Sequence, residues 1–72
     1  MTKAEFETWA TKSGFSRDRW GHFHKGETRL KVSSTTVRLE VKATAAGWVR
    51  LRSNYFSKLS LTADGKLSGL KY

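Results

Sequence analysis

Three segments of the chain alternate between apolar residues and charged or polar ones. They are "TRLKV" at 28–32, "TVRLEVK" at 36–42 and "WVRLRS" at 48–53. A period of two is that of an extended strand with one buried face, and it does not fit the 3.6-residue period of a helix. The alternation therefore predicts three half-buried strands of an antiparallel sheet.

The register of the first two strands follows from pairing apolar residues with apolar residues. A two-residue turn at 34–35 places Val32 opposite Val37. The same register sets Arg29 opposite Glu40 on the other face. A slip of one residue would move every aliphatic side chain to the charged face, so this register is well specified.

The third strand joins the second through a five-residue loop, "ATAAG". This loop length pairs Glu40 with Arg50, so we expect Glu40 to lie between Arg29 and Arg50 as an ion-pair spacer. The same register places Arg52 opposite Arg38. That like-charged pair has no partner, and we expect a ligand to bind near it.

The first segment of the chain has the features of a helix. Thr2 and Glu5 have the spacing of a capping box, in which each side chain satisfies a backbone N–H of the other residue. An apolar stripe with helical spacing follows, formed by Phe6, Trp9 and Ala10. Gly14 suits the left-handed residue that ends a helix. We expect a helix at about 2–13.

Two further segments are predicted to be extended. "RWGHFHKGE" at 19–27 predicts a fourth strand that turns at Lys25-Gly26 and adds Trp20 and His22 to the charged face. The alternative for Trp20 is a place in the core. A C-terminal hairpin with its turn at Asp64-Gly65 pairs Leu61 with Leu67. The whole chain, 1–72, is expected to be one small domain made of the helix, a β-meander at about 19–53 and a hairpin at about 58–70.

These elements predict an α+β fold. The N-terminal helix packs on one face of an antiparallel sheet of about three to five strands and leaves the other face open. The expected core consists of Phe6, Trp9, Leu30, Val32, Val37, Leu39, Val41, Val49 and Leu51.

The charge of the chain is strongly positive and unevenly distributed. Fourteen Lys and Arg against six Asp and Glu give a net charge of +8, and residues 28–52 hold six basic side chains against Glu40 alone. The absence of Cys excludes disulfides and fits a reducing, cytoplasmic location. No apolar run is long enough for a membrane span and no signal peptide is recognisable, so we expect no membrane association.

The open face of the predicted sheet is therefore basic, and such a face attracts polyanions. Arginine suits phosphate oxygens and the guanine edge, a small sheet fits a DNA groove, and an exposed aromatic ring stacks on unpaired bases. We expect a nucleic-acid-binding module that slightly favours duplex DNA. The site is expected to consist of Arg29, Lys31, Arg38, Lys42, Trp48, Arg50 and Arg52. Further contacts are expected from Trp20, His22 and Tyr55.

Other interpretations of the same residues stay open. One face of an antiparallel sheet is often solvated and polar, and Trp48 at the start of a strand could instead pack over the edge of the core. A small basic domain with exposed aromatic side chains could also be a regulator or inhibitor that docks on an acidic protein. Both interpretations are compatible with a monomer or a weak dimer.

Catalysis and metal binding have little support in the sequence. His22 and His24 share a strand face, as two metal ligands would, but the spacing supplies no third ligand. Apart from Glu5 and Glu7 on the helix, no carboxylate pair is close in sequence, and there is no Gly-rich phosphate loop. We expect neither an enzyme nor a bound metal or cofactor.

Overall fold

A computed structural model describes residues 1–45 and 47–70 of the chain. Within these residues the elements, in chain order, are α1 (Lys3–Lys12), β1 (Ser16–Arg17), β2 (Phe23–Lys25), β3 (Thr28–Val32), β4 (Thr36–Ala43), β5 (Gly47–Tyr55), a short 3-10 helix (Phe56–Lys58), β6 (Ser60–Leu61) and β7 (Leu67–Ser68). Strands β1 to β5 form an antiparallel sheet in sequential order, and β6 pairs with β7. The α+β fold predicted from the sequence is confirmed.

Both ends of α1 are fixed by the residues that the sequence suggests. Thr2 is the N-cap and forms a capping box with Glu5, whose backbone N–H donates to the Thr2 hydroxyl at 3.1 Å. At the other end Gly14 has φ of +91°, and the Phe15 N–H donates to the carbonyl of Ala10 at 3.0 Å. The positive φ turns the chain back towards the core, which is the geometry that glycine accepts most readily.

The apolar stripe of α1 packs on one face of the five-stranded sheet. Phe6 lies at the centre, with its ring centroid 5.6 Å from that of Trp9, 6.2 Å from Phe23 and 5.3 Å from Phe56. The core is formed by Phe6, Trp9, Ala10, Phe15, Phe23, Leu30, Val37, Leu39, Phe56, Leu59, Leu67 and Leu70. The helix and the C-terminal segment therefore cover the same face of the sheet.

Two residues expected in the core lie outside it. Val49 is 37% exposed and Leu51 is 55% exposed. Both belong to β5, which is an edge strand of the sheet. Phenylalanines and leucines from outside the three alternating segments fill the core instead. Val32 packs against the core but is only partly buried, and Val41 is also half-buried.

The hairpin of β3 and β4 has the predicted register. Val32 pairs with Val37, and Arg29 pairs with Glu40. The strict alternation of apolar and charged residues on both strands explains why the sequence was sufficient here, since any slip would expose the buried members. Val37 is 1% exposed.

The hairpin of β2 and β3 turns one residue later than predicted. Phe23 pairs with Leu30, whereas a turn at Lys25-Gly26 would have placed Phe23 opposite Thr28. The observed register sets two apolar residues against each other, and both are essentially buried, at 1% and 0% exposure. Both turns have two residues, so apolar pairing across the strands decides between the two registers.

A β-bulge interrupts the pairing of β4 with β5. Glu40 pairs with Arg50 as predicted, but Leu39 pairs with Arg52 because Leu51 is an extra residue on the bulged strand. The predicted pair of Arg52 with Arg38 is therefore wrong. Without the bulge, strict alternation would turn Phe56 away from the core; with it, Phe56 is buried at 4% exposure. Burying this ring outweighs the exposure of Leu51.

The predicted register of the C-terminal hairpin is confirmed, and its strands β6 and β7 lie within the predicted range of about 58–70. Leu61 pairs with Leu67, as the sequence predicts. The end of this segment is held against the sheet, because the side-chain amide of Asn54 donates to the carbonyl of Gly69 at 3.0 Å. Leu70, the last residue described, is 0% exposed.

Gly69 should tolerate a side chain much less well than Gly65. Both have positive φ, at +104° and +81°, but a Cβ at Gly69 would lie 2.8 Å from the carbonyl oxygen of Lys58, whereas Gly65 has open space. We expect Gly69→Ala to lower the free energy of unfolding by about 1–3 kcal/mol more than Gly65→Ala, because it adds an overpacking cost to the same type of backbone strain. Urea denaturation of the two variants measures the difference, and equal losses would contradict the packing described for Gly69.

Candidate nucleic-acid interface

Six of the seven predicted site residues share the sheet face opposite the core. On β4, Arg38 and Lys42 alternate with buried Leu39 and half-buried Val41, so they point to the other side of the sheet. Cross-strand partners point to the same side. The face, called the open basic face below, is formed by Arg29 and Lys31 on β3, Arg38, Glu40 and Lys42 on β4, and Trp48 and Arg50 on β5.

Arg52 is the seventh predicted residue, and the bulge removes it from this face. It pairs with Leu39, which is 5% exposed and belongs to the core side of the sheet. The same bulge brings Ser53 opposite Arg38 and Tyr55 opposite Thr36. Tyr55, predicted as an additional contact, therefore lies on the open basic face and is 55% exposed.

Glu40 is the carboxylate of the open basic face, and it is buried between two arginines. Arg29 holds it with two nitrogens, Nη2 at 2.5 Å and Nε at 2.7 Å from Oε1. Arg38 Nη1 lies 3.4 Å from Oε2. Burial alone would raise the pKa of Glu40, but the hydrogen bonds and charges of the two arginines outweigh it and lower the pKa. The partner predicted from the sequence, Arg50, is replaced by Arg38 on the same strand.

Trp48 packs within the open basic face and is only half-exposed. The guanidinium carbon of Arg29 lies over the indole, 4.4 Å from its centroid, in a cation–π contact. The ring of His24 meets it edge-on at 5.9 Å between centroids. Because Arg29 also binds Glu40, one side of Trp48 is covered by a side chain that is itself held in place. Trp48 thus packs on its neighbours within the open basic face and not over the edge of the core.

Asp18 organises the loop that borders this face. Its Oδ1 accepts from the backbone N–H groups of Trp20 and His22 at 2.9 Å each, and its Oδ2 lies 2.7 Å from His24 Nε2. Desolvation opposes the ionised form of Asp18, but these hydrogen bonds outweigh it and lower its pKa to about 2. The carboxylate therefore orients His24 against Trp48, a role for Asp18 and His24 that sequence reasoning missed. The signal was present, because Asp two residues before Trp-Gly is typical of an Asx turn.

Trp20 and His22 precede β2 and do not belong to the predicted strand. His22 Nδ1 accepts from the backbone N–H of Val32 at 2.9 Å, which ties the loop to β3. Burial lowers the pKa of His22, and the charges of Lys31 and Arg29 lower it further, while Asp18 opposes the shift. Trp20 lies outside the strands, is 68% exposed and carries the guanidinium of Arg19 over its ring at 4.4 Å.

The cations of the open basic face fall into two groups. Arg29 and Arg38 share the single charge of Glu40. Lys31, Lys42 and Arg50 are without an ion pair in the part of the chain that the structure describes. Five cations against one carboxylate leave a strong positive surplus on a surface that no helix covers. Such a surface can bind phosphate oxygens through several side chains at once.

Comparisons with known proteins give no family for this chain. No protein-family model, curated protein or solved structure matches it significantly. Across residues 1–45 and 47–70, no group of three or more His, Cys, Asp or Glu side chains could hold a metal ion. In the same ranges, no helix combines the length and the apolar character needed to cross a membrane.

Replacing Glu40 should lower stability while raising the charge of the face. In Glu40→Gln the two arginines lose their common carboxylate, and we expect the free energy of unfolding to fall by about 1.5–3 kcal/mol. Glu27→Gln is the matched control, because it makes the same charge change on an exposed turn residue. Urea denaturation compares the two. A loss no larger than that of Glu27→Gln would show that the buried ion pairs do not stabilise the sheet.

His22 should make folding stability depend on pH. The folded protein holds the neutral ring, whereas an unfolded histidine takes up a proton as the pH falls through about 6.5. The contribution is therefore complete above about pH 6.5 and is lost as the pH falls towards the lower pKa of folded His22. We expect the free energy of unfolding to fall between about pH 7 and pH 5, and to fall less in His22→Gln. Identical pH profiles for both proteins would refute this role.

Proposed function

We propose that this protein is a small nucleic-acid-binding module and that it uses the open basic face to bind the phosphate backbone. The observation that carries the proposal is the charge of one sheet face, with five cations against one carboxylate that two of them already bind. Neighbouring strands lie about 4.8 Å apart, so cations on adjacent strands repel one another. A polyanion relieves all of these repulsions together.

A merely solvated face accounts less well for this arrangement. Solubility is served by charges of both signs scattered over a surface. Here the one carboxylate is only 4% exposed, so the side chains that solvent meets on this face are cations, hydroxyls and aromatic rings. A phosphate-binding surface requires side chains of these types, so they favour a face that binds a ligand over one that is only solvated.

The proposal concerns binding without catalysis. Lys, Arg, Trp and Tyr side chains supply charge and stacking surface, and the face offers no nucleophile beside a general base. DNA is the proposed partner in preference to RNA. The cytoplasm is the proposed location, because a chain without cysteine fits a reducing compartment. Backbone contacts of this kind serve duplexes and single strands alike.

Charge reversal on the face should abolish binding without unfolding the protein. We expect Arg38→Glu with Arg50→Glu to remove measurable affinity at moderate salt, while Lys58→Glu with Lys66→Glu, an equal charge change outside the face, retains most of it. For the wild type, the logarithm of the affinity should fall with the logarithm of salt concentration with a slope of about −4 to −5 if five phosphates are neutralised. Fluorescence anisotropy with labelled DNA measures both.

The result that would contradict the proposal is equal loss of affinity in both double variants. That outcome would mean that only net charge matters and that the open basic face is not the binding surface. Circular dichroism of each variant checks that the fold is retained.

A protein-interaction module is the second candidate, and the edge strand supports it. β5 leaves one edge unpaired within the described residues, with Leu51 and Tyr55 each 55% exposed along it. An extended segment of an acidic protein could add a strand there and meet Arg50. Specific capture of an acidic protein, with no affinity for nucleic acid at physiological salt, would favour this function.

A further inference from the structure

A groove of about 350 Å³ opens on the open basic face beside the bulge. Its wall runs from the end of the β3–β4 hairpin across β4 to the last residues of β5. The residues that line it include Lys31, Ser33, Thr36, Arg38, Ser53 and Tyr55. The volume is within the range of small-molecule sites. Lys31, Arg38 and Tyr55 were predicted from the sequence as site residues. Ser33, Thr36 and Ser53 were not, because the groove forms only where the bulge changes the pairing of β4 with β5.

The floor of the groove carries two adjacent positive charges. Lys31 pairs directly with Arg38, and Arg38 pairs with Ser53, so the three lie in one line across three strands. Arg38 is available for a ligand, because its contact with Glu40 is long, at 3.4 Å, and its side chain is 44% exposed. Arg29 is the main partner of Glu40, at 2.5 Å. Two cations and a hydroxyl at this spacing suit the oxygens of one phosphate.

The rim of the groove is fixed before any ligand arrives. The hydroxyls of Ser33 and Thr36 lie 2.5 Å apart, and the backbone N–H of Ser33 donates to the carbonyl of Thr36 at 2.9 Å. On the other side, the backbone N–H of Tyr55 donates to the side chain of Asn54 at 2.9 Å, and that of Phe56 donates to Thr35 at 3.0 Å. A site held in this way loses little entropy on binding.

Tyr55 borders two cavities. It lines the groove and also a second cavity of about 380 Å³, whose lining includes Lys3 at the start of α1. Tyr55 is 55% exposed, so a stacking base can reach it. Trp48 is less accessible to a base, because the guanidinium carbon of Arg29 lies 4.4 Å from the centroid of its indole. Tyr55 is therefore the better stacking surface of the two.

We propose that the groove binds one unpaired nucleotide, with its phosphate at Lys31 and Arg38 and its base stacked on Tyr55. A base inside a duplex is covered by its neighbours, so only an unpaired base can reach the ring. The protein then prefers single strands, or single-stranded ends, to the duplex DNA that the sequence slightly favours. This inference rests on the proposed function, since the groove is part of the open basic face.

The test compares a short oligothymidine with a blunt duplex of two separate, fully paired strands that has the same number of phosphates. We expect wild-type protein to bind the oligothymidine more tightly at equal salt. Tyr55→Ala should weaken that binding about tenfold and leave the duplex affinity unchanged, because stacking contributes to the single strand only. Tyr55→Phe keeps the ring and should retain the affinity. Trp20→Ala is the matched control, since Trp20 is even more exposed, at 68% against 55% for Tyr55, but lies outside the groove.

A second measurement does not depend on any variant. Proton NMR of the wild type should show upfield shifts of the Tyr55 ring protons as oligothymidine is added, because a stacked base shields them. If both nucleic acids bind while Tyr55→Ala behaves as wild type and the ring shifts are absent, this inference fails and the proposed function stands. If neither nucleic acid binds, both fail.

Discussion

One ten-residue helix packs against a five-stranded sheet, and it covers a single face of that sheet. All of the buried aromatic side chains converge on this face, around Phe6. The opposite face must then carry side chains that water or a ligand can satisfy. In this chain they are mainly cations, so the sheet face that the helix leaves uncovered is also the basic face. The candidate site is a consequence of how little secondary structure a chain of this length has to cover its sheet.

Glu40 lets such a concentrated positive face exist in a folded protein. Its carboxylate compensates Arg29 and Arg38 at the centre of the sheet, and the geometry that binds Arg29 also places its guanidinium over Trp48. The ion pair thus orders side chains on three strands. It leaves Lys31 at one end of the face and Lys42 at the other, where each is free to meet a separate phosphate.

Much of the fold follows from the sequence, because alternation and capping are local signals. The register of β3 with β4, the capping box at Thr2 and the C-terminal pair of Leu61 with Leu67 needed no tertiary information. The bulge did need tertiary information, because it depends on which aromatic residue is buried in the core. A hint was present, because the apolar phase of β5 changes between Leu51 and Phe56. Six of seven predicted site residues share the face, but the groove beside Tyr55 exists only because of that change of phase.

The most direct test of the account is amide chemical-shift mapping of the wild-type protein during titration with a short DNA oligomer. The account predicts that shifts concentrate on β3, β4 and β5, around Lys31, Arg38 and Tyr55, while the exposed side of α1 is unaffected. Shifts confined to α1 and the C-terminal hairpin, or no shifts at low salt, would contradict the claim that the open basic face is the ligand-binding surface.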